Sequence, residues 1–127
     1  MDTLTPYLLT ADVGGTNSRM MLYSLESTVP LVVKYYRNEE NLKEKKDGIF
    51  ERNIIGPFLQ YCWDSNKSLL PLGQVEIIAC LAIAGPVRDN SVFMSNLHNI
   101  VIDGHAIETQ THTKNMPFLD RIKVCKI

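Results

Sequence analysis

The sequence predicts a single-domain α/β layer fold, and three observations support this prediction. The first is a β-rich start, in which three strand-like stretches follow one another over residues 7–37. The second is a stretch with apolar residues at helical spacing over residues 49–63. The third is the run "VEIIACLAIA", residues 75–84, which is apolar nearly throughout and is typical of a central strand covered on both faces. A meander, a helix and a central strand together make an α/β layer fold.

The opening strands are predicted at residues 7–13, 18–26 and 30–37. A short Gly-Gly turn joins the first two, which therefore form a hairpin. Pro30 marks the start of the third strand, because proline lacks the N–H that a central strand position would use. The charge run "NEENLKEKKDG", residues 38–48, is interpreted as a solvated loop or helix face.

The helix over residues 49–63 contains one irregular position. Pro57 has no N–H and clashes with the preceding helical turn. We therefore expect a kink, or two short helices that meet at Gly56-Pro57. The residues at helical spacing are Phe50, Ile54, Phe58 and Cys62.

Shorter elements follow the central strand. "GPVRDN" is predicted as a turn and "SVFMSNL" as a short edge-like strand. Asp103 is predicted to cap the N-terminus of a helix near residues 104–111, because an aspartate side chain accepts hydrogen bonds from the first free amides of a helix. "RIKVCKI", residues 121–127, is predicted as the last strand.

The composition excludes several classes of protein. The chain has 127 residues, of which 45% are hydrophobic, and a formal net charge of −1. The chain has no excess of basic residues that would indicate binding to nucleic acid or to an anionic membrane. No apolar run is long enough to span a bilayer. The N-terminus lacks a basic region and a small-residue cleavage site, so we expect no signal peptide and a cytoplasmic location. The three cysteines, Cys62, Cys80 and Cys125, are expected to be buried free thiols because each lies among apolar residues.

The stretch "ADVGGTNSR", residues 11–19, has the composition of a magnesium-nucleotide site. Gly14 and Gly15 allow positive φ and a close approach of the main chain to a ligand. Successive amides in such a turn bind anions, and Thr16 and Asn17 add side-chain donors. Asp12 would repel a bare phosphate but suits Mg²⁺. A Walker A loop would need a lysine, and a dinucleotide fingerprint would need a following helix, so both are excluded; a plain hairpin turn stays open.

A second stretch, "LAIAGPVRDNSVFMSNL" at residues 81–97, extends this interpretation. Together the two stretches resemble the bacterial-type glucokinases of the actin, Hsp70 and sugar-kinase superfamily. The resemblance implies a ribonuclease H-like mixed sheet with a β-meander start and flanking helices. Residues 1–127 would then be the N-terminal small domain of a sugar kinase, in incomplete form. The implied reaction is phosphoryl transfer from ATP, with Mg²⁺, to the 6-hydroxyl of glucose, the first step of glycolysis.

The resemblance also implies roles for particular residues. It assigns the nucleotide phosphates to Asp12, Gly14, Gly15, Thr16 and Asn17, with Asp12 also the magnesium residue, and the sugar side to Gly85, Pro86 and Asn96. Arg19 matches an arginine often seen after the loop, without an assigned role. The implied partners are glucose and ATP, with no nucleic acid and no membrane. The resemblance is compatible with a homo-oligomer of the complete protein.

The sequence departs from the family pattern in two places. Asn99 stands where the family usually has a tryptophan. The family's Asn-Asp pair, whose aspartate is the general base, would come just beyond Ile127, so we expect an incomplete chain that is inactive alone. Two alternatives stay open: a noncatalytic partner-binding module, and a sugar-responsive regulator, for which the sequence leaves no room for a DNA-binding segment before residue 12.

Three histidines, His98, His105 and His112, lie seven residues apart and would align on one continuous helix. The segment between the first two contains "NIVID", which is typical of extended structure. A metal site at these histidines is therefore not predicted. Phosphate donors other than ATP and the sugar specificity are not distinguished by the sequence.

Overall fold

The computed structural model describes residues 5–43, 48–65, 75–83, 85, 87–94, 100–110 and 119–126. The protein is a mixed α/β fold with a five-stranded sheet, a smaller three-stranded sheet and few helices. Within the described residues, no helix is long and apolar enough to cross a membrane.

The first three strands form the predicted meander. β1 (Thr5–Val13) pairs antiparallel with β2 (Asn17–Ser24), and β2 pairs antiparallel with β3 (Val32–Arg37). Pro30 precedes β3 by two residues, in agreement with its predicted place at the start of the strand. The predicted strands and their hairpin connection are confirmed.

β4 (Val75–Ile83) and β8 (Leu119–Lys126) complete the large sheet, whose order is β3-β2-β1-β4-β8. β4 runs parallel to β1, and β8 runs parallel to β4. The carboxyl ends of β1, β4 and β8 therefore point to the same edge of the sheet. This edge is called the carboxyl edge below.

The helical stretch is continuous but irregular. A short helix, α1 (Asn38–Asn41), lies in the charge run, and a π-helical turn over Glu51–Ile55 passes directly into α2 (Gly56–Ser65). In that turn the amide of Gly56 donates to the carbonyl oxygen of Glu51, five residues back. The irregularity expected at Gly56-Pro57 is thus a widened turn before the proline and not a break between two helices.

The small sheet is formed by β5 (Val87–Arg88), β6 (Ser91–Met94) and β7 (Ile100–Asp103) in the order β5-β6-β7. The predicted edge-like strand is therefore the middle strand of this sheet, a correction that follows from strand β7. Asp89 and Asn90 make the two-residue turn between β5 and β6. Their φ values of 51° and 57° suit the turn type that follows the twist of a hairpin.

α3 (Gly104–Gln110) begins where the sequence predicts. The amide of His105 donates to Asp103 Oδ1 at 3.0 Å, so Asp103 is the N-cap. The carboxylate of Glu108 accepts a hydrogen bond from the amide of Val124 at 2.8 Å, which ties α3 to β8. The segment before α3 is a strand, as the pattern "NIVID" predicts.

The core lies on one face of the large sheet. Along β1, β2 and β4, alternate side chains are buried and the others are half-buried or exposed. The second face carries Leu8, Thr10, Met21 and Cys80. β4 is therefore covered on one face in this chain, and not on both as its apolar run predicts. The fully buried side chains from strands and helices form one cluster that includes Leu9, Met20, Ile77, Phe50, Phe58 and Leu59.

Two of the cysteines can be compared with their predicted burial. Cys62 is a free thiol in the core, where burial raises its pKa to about 12 and makes it unreactive. Cys80 is also free but only half-buried, because it lies on the uncovered face of β4. The side chain of Cys125 lies outside the described residues.

Candidate functional site

Strand register brings the two sequence motifs to one place. β1 and β4 are parallel neighbours, and Val13 of β1 lies beside Ile83 of β4. Gly14 directly follows β1, and Gly85 follows β4 by two residues. Gly14 and Gly85 therefore follow the adjacent ends of neighbouring strands at the carboxyl edge, although they are far apart in the sequence.

The loop between β1 and β2, residues 14–16, is closed by its own main chain. The amide of Gly14 donates to the carbonyl oxygen of Asn17 at 3.0 Å. Neither Gly14 nor Gly15 has the positive φ that the sequence suggested, since Gly48 is the only glycine with positive φ in the described chain. A Cβ on Gly14 would meet nothing closer than that same oxygen, at 3.7 Å. The turn itself therefore does not require glycine at position 14. Because glycine has no side chain, the main chain at this position is left uncovered.

The polar side chains predicted for the nucleotide lie on the surface at this edge. Asp12, Thr16 and Asn17 are all exposed. Asp12 lies opposite Arg19 in the register of β1 and β2, yet the described residues show no ion pair within 4.0 Å between them. No main-chain carbonyl in the described chain accepts a hydrogen bond from the amides of Gly15 or Thr16. This edge of the sheet therefore carries an exposed carboxylate and an exposed hydroxyl beside two amides that have no main-chain acceptor among the described residues.

A groove of about 1050 Å³ lies along the uncovered face of the sheet, and the described residues that line it include none of the loop itself. Asp12 and Arg19 lie at its loop end, and Val87 reaches it from the second motif. In the part of the chain that the structure describes, Asp12 is the only acidic side chain that lines the groove. The site thus offers one carboxylate and one guanidinium beside an apolar floor.

Asn38 is a residue of this site that the sequence interpretation missed. It is fully buried at the start of α1. Its Nδ2 donates to the carbonyl oxygen of Gly14 at 2.8 Å, and its Oδ1 accepts from the Ser18 hydroxyl at 2.6 Å. Its main-chain amide donates to the carbonyl oxygen of Thr16 at 2.9 Å. An asparagine directly after a predicted strand could have indicated this role. The surrounding charged residues instead led to the interpretation of the whole run as solvent-exposed.

The residues predicted for the sugar side are only partly described. Gly85 is exposed, and a Cβ there would lie 2.9 Å from Val92 Cγ1 and 3.4 Å from the carbonyl oxygen of Phe93. Glycine at this position is therefore explained by the close approach of β6. Pro86 and Asn96 lie outside the described residues.

The comparisons with known proteins identify the family. The family model described as glucokinase matches residues 9–122, which is most of the chain. The chain belongs to the glucokinase family. No curated protein matches it.

Two solved sugar-kinase structures share the fold. A glucokinase from an Antarctic psychrotroph aligns with a TM-score of 0.53 at 18% identity, over 93% of this chain and 31% of that one. A putative sugar kinase from Cytophaga hutchinsonii aligns with a TM-score of 0.58 at 14% identity, over 94% of this chain and 36% of that one. The chain thus spans about a third of the length of the solved structures that it matches.

The residues of this glucokinase-family chain fit a magnesium ion that is bound together with a nucleotide, but not a metal ion held by the protein alone. Within the described residues, no group of three histidine, cysteine, aspartate or glutamate side chains could hold a metal ion. Asp12 is a single exposed carboxylate beside amide donors. Mg²⁺ is typically held by one or two carboxylates together with nucleotide phosphates and water. Asp12 therefore suits a metal ion that arrives with its nucleotide. Of the three histidines, His105 is exposed on α3, and His98 and His112 lie outside the described residues.

A second unusual group lies away from the carboxyl edge. Glu51, in the π-helical turn, is 3% exposed, and its Oε2 has no hydrogen-bond partner in the described chain. The pKa of Glu51 is raised from 4.5 to about 7, mainly by burial and also by the charge of Asp103, while a main-chain hydrogen bond and Arg52 act in the lowering direction. The helical spacing of the apolar residues, which includes Phe50, gave no signal that the adjacent Glu51 is also buried.

Proposed function

We propose that this chain is the phosphate-binding part of a glucokinase that transfers a phosphoryl group from ATP to the 6-hydroxyl of glucose. The observation that carries the proposal is the meeting of the two family motifs at one sheet edge, in a chain that belongs to the glucokinase family. A loop whose amides lack a main-chain acceptor in the described chain, beside an exposed carboxylate, suits a metal-bound polyphosphate.

The roles proposed for the loop residues follow from their exposure. The amides of Gly15 and Thr16, with the side chains of Thr16 and Asn17, would donate to phosphate oxygens. Asp12 would hold Mg²⁺, which when bound offsets the charge on the transferring phosphates. Gly85, Pro86 and Asn96 remain proposed for the sugar side. A cytoplasmic location remains a prediction.

The chain alone is proposed to bind the nucleotide without transferring its phosphate. Phosphoryl transfer to a hydroxyl needs a carboxylate that accepts the hydroxyl proton, besides the group that holds the metal ion. Asp12 is the only acidic residue that lines the groove in the described part of the chain, and the proposal uses it for the metal ion. The groove therefore lacks a candidate for the base among the described residues.

Titration of the 127-residue chain with MgATP, followed by NMR of its backbone amides, tests the proposal. We expect the amides of Gly15, Thr16 and Asn17 to shift first. Asp12→Asn removes the charge and should weaken MgATP binding at least about tenfold, the equivalent of a lost charged contact of about 1.4 kcal/mol. Asp64→Asn is the matched control, because Asp64 is exposed on α2 and does not line the groove.

An assay for glucose 6-phosphate with the same chain completes the test. With ATP, Mg²⁺ and glucose, we expect product at the background level of the Asp12→Asn variant. Shifts that spread over the sheet with no preference for residues 14–17, or equal affinities for Asp12→Asn and Asp64→Asn, would contradict the assignment of the loop. Turnover above background would show that the chain contains the base.

A further inference from the structure

The loop at the carboxyl edge has an uneven balance of hydrogen-bond donors and acceptors. The carbonyl oxygen of Asn17 is occupied by the amide of Gly14, and the carbonyl oxygens of Gly14 and Thr16 are both occupied by groups of Asn38. The amides of Gly15 and Thr16 have no main-chain acceptor in the described chain. Among the described residues, two of the three carbonyl oxygens of residues 14–16 are thus occupied, and only that of Gly15 has no donor, while two amides are available. This balance favours an anion.

We propose that Asn38 is the positioning residue that creates this polarity; the proposal rests on the function proposed above. A carbonyl oxygen that faced a bound phosphate would repel it. By binding the carbonyl oxygens of Gly14 and Thr16, Asn38 keeps both away from the ligand. It acts through the loop and touches neither the nucleotide nor the metal ion.

The side-chain amide is suited to this role because it donates and accepts at once. Nδ2 donates to the carbonyl oxygen of Gly14, where the chain leaves β1. Oδ1 accepts from the Ser18 hydroxyl, where the chain has entered β2. The side chain thus bridges the two limbs of the loop, and the main-chain amide holds the residue between them. A carboxylate could accept from Ser18 but could not donate to Gly14.

Burial makes these contacts decisive. Asn38 and Ser18 are both fully buried, so water cannot replace a lost partner. A loop held in one conformation before binding loses little backbone entropy when the ligand arrives. Without the donor to Gly14, the loop would become mobile, and its carbonyl oxygen would be free to turn toward the phosphate.

The test compares Asn38→Asp with Asn41→Asp in the 127-residue chain. Asn38→Asp keeps the shape, the acceptor for Ser18 and the main-chain amide. It removes the donor to Gly14 and adds a carboxylate, a charge that the control variant also introduces. Asn41→Asp is the matched control, because Asn41 Nδ2 donates to the carbonyl oxygen of Arg37 at 2.8 Å, outside the loop. The MgATP dissociation constant and the backbone NMR order parameters of residues 14–17 are measured where each variant is fully folded.

We expect Asn38→Asp to weaken MgATP binding by roughly 10- to 100-fold, in keeping with a loop that must be ordered on binding, and to lower the order parameters of the loop. Asn41→Asp should leave both unchanged. Should Asn38→Asp fail to fold, Ser18→Ala carries the test, with an expected loss of about threefold or more because one limb of the bridge is released.

The outcomes separate the two proposals. A wild-type chain that binds no MgATP would remove the proposed function, and the order parameters would then decide the role of Asn38 alone. Wild-type binding together with unchanged affinity and unchanged loop order in the folded Asn38→Asp variant would overturn the positioning role. Lower stability with unchanged affinity would also overturn it, since that result shows a structural contact only.

Discussion

The buried carboxyl group of Glu51 predicts that the stability of this chain falls as the pH rises through neutrality. Burial is the main cause that raises its pKa from 4.5 to about 7, and Asp103 adds to the effect. Between these two values the folded state keeps a proton that the unfolded chain has already lost. Because the folded state then binds more protons, the free energy of unfolding decreases with increasing pH.

The size of the effect follows from the two pKa values. With 4.5 in the unfolded chain and about 7 in the folded chain, the linkage relation gives a loss of about 2.5 kcal/mol between pH 5 and pH 8. The stabilising state is the protonated one, so its advantage is complete at low pH and disappears as the pH passes the folded value. Glu51→Gln keeps the shape of the side chain without a titrating group, and its stability should lack this component.

Urea unfolding at pH 5, 6, 7 and 8 measures the effect, with the fluorescence of Trp63, the single tryptophan, as the signal. The decisive quantity is the difference in unfolding free energy between wild type and Glu51→Gln as a function of pH. If glutamine changes the stability by an amount that does not depend on pH, that amount does not affect how the difference varies with pH. Glu40→Gln is the control, because the side chain of Glu40 is 68% exposed. A difference in unfolding free energy between wild type and Glu51→Gln that stays the same from pH 5 to pH 8 would refute the reasoning.

Two further predictions concern the elements around Glu51. Asp103→Asn keeps an N-cap oxygen for the amide of His105 but removes the charge that raises the Glu51 pKa. In the same urea series, the fall in unfolding free energy should therefore occur at a lower pH. A fall at an unchanged pH would contradict the coupling between the two carboxyl groups. Gly104→Ala places a Cβ 2.5 Å from Asn90 Nδ2 and 3.1 Å from the carbonyl oxygen of Asn90, so we expect a loss of about 1–3 kcal/mol in urea unfolding. Gly14→Ala, whose Cβ has 3.7 Å of clearance, is the comparison, and an equal loss in both variants would show that the close approach at Gly104 is not responsible.

Local sequence patterns determined most of the secondary structure. The alternation and β-branched residues of the opening stretches set the meander, and Asp103 set the start of α3, because these signals act between residues that are close in sequence. The motifs around Asp12 and Gly85 pointed to the glucokinase family, and the family match confirms that assignment. Where each local preference agrees with the final fold, the pattern alone is sufficient.

The tertiary structure decided what depends on distant partners. Parallel pairing of β1 with β4 places Gly14 beside the segment of Gly85, and no local pattern specifies the register of two strands that are so far apart in the chain. The burial of Asn38 and Glu51 depends on which elements pack over these two residues, whereas their polar residue types suggested solvent. Hydrogen bonding in the loop is likewise set by a residue outside it. Composition predicts which surfaces are apolar, whereas only the packing of the whole chain determines which of them is covered.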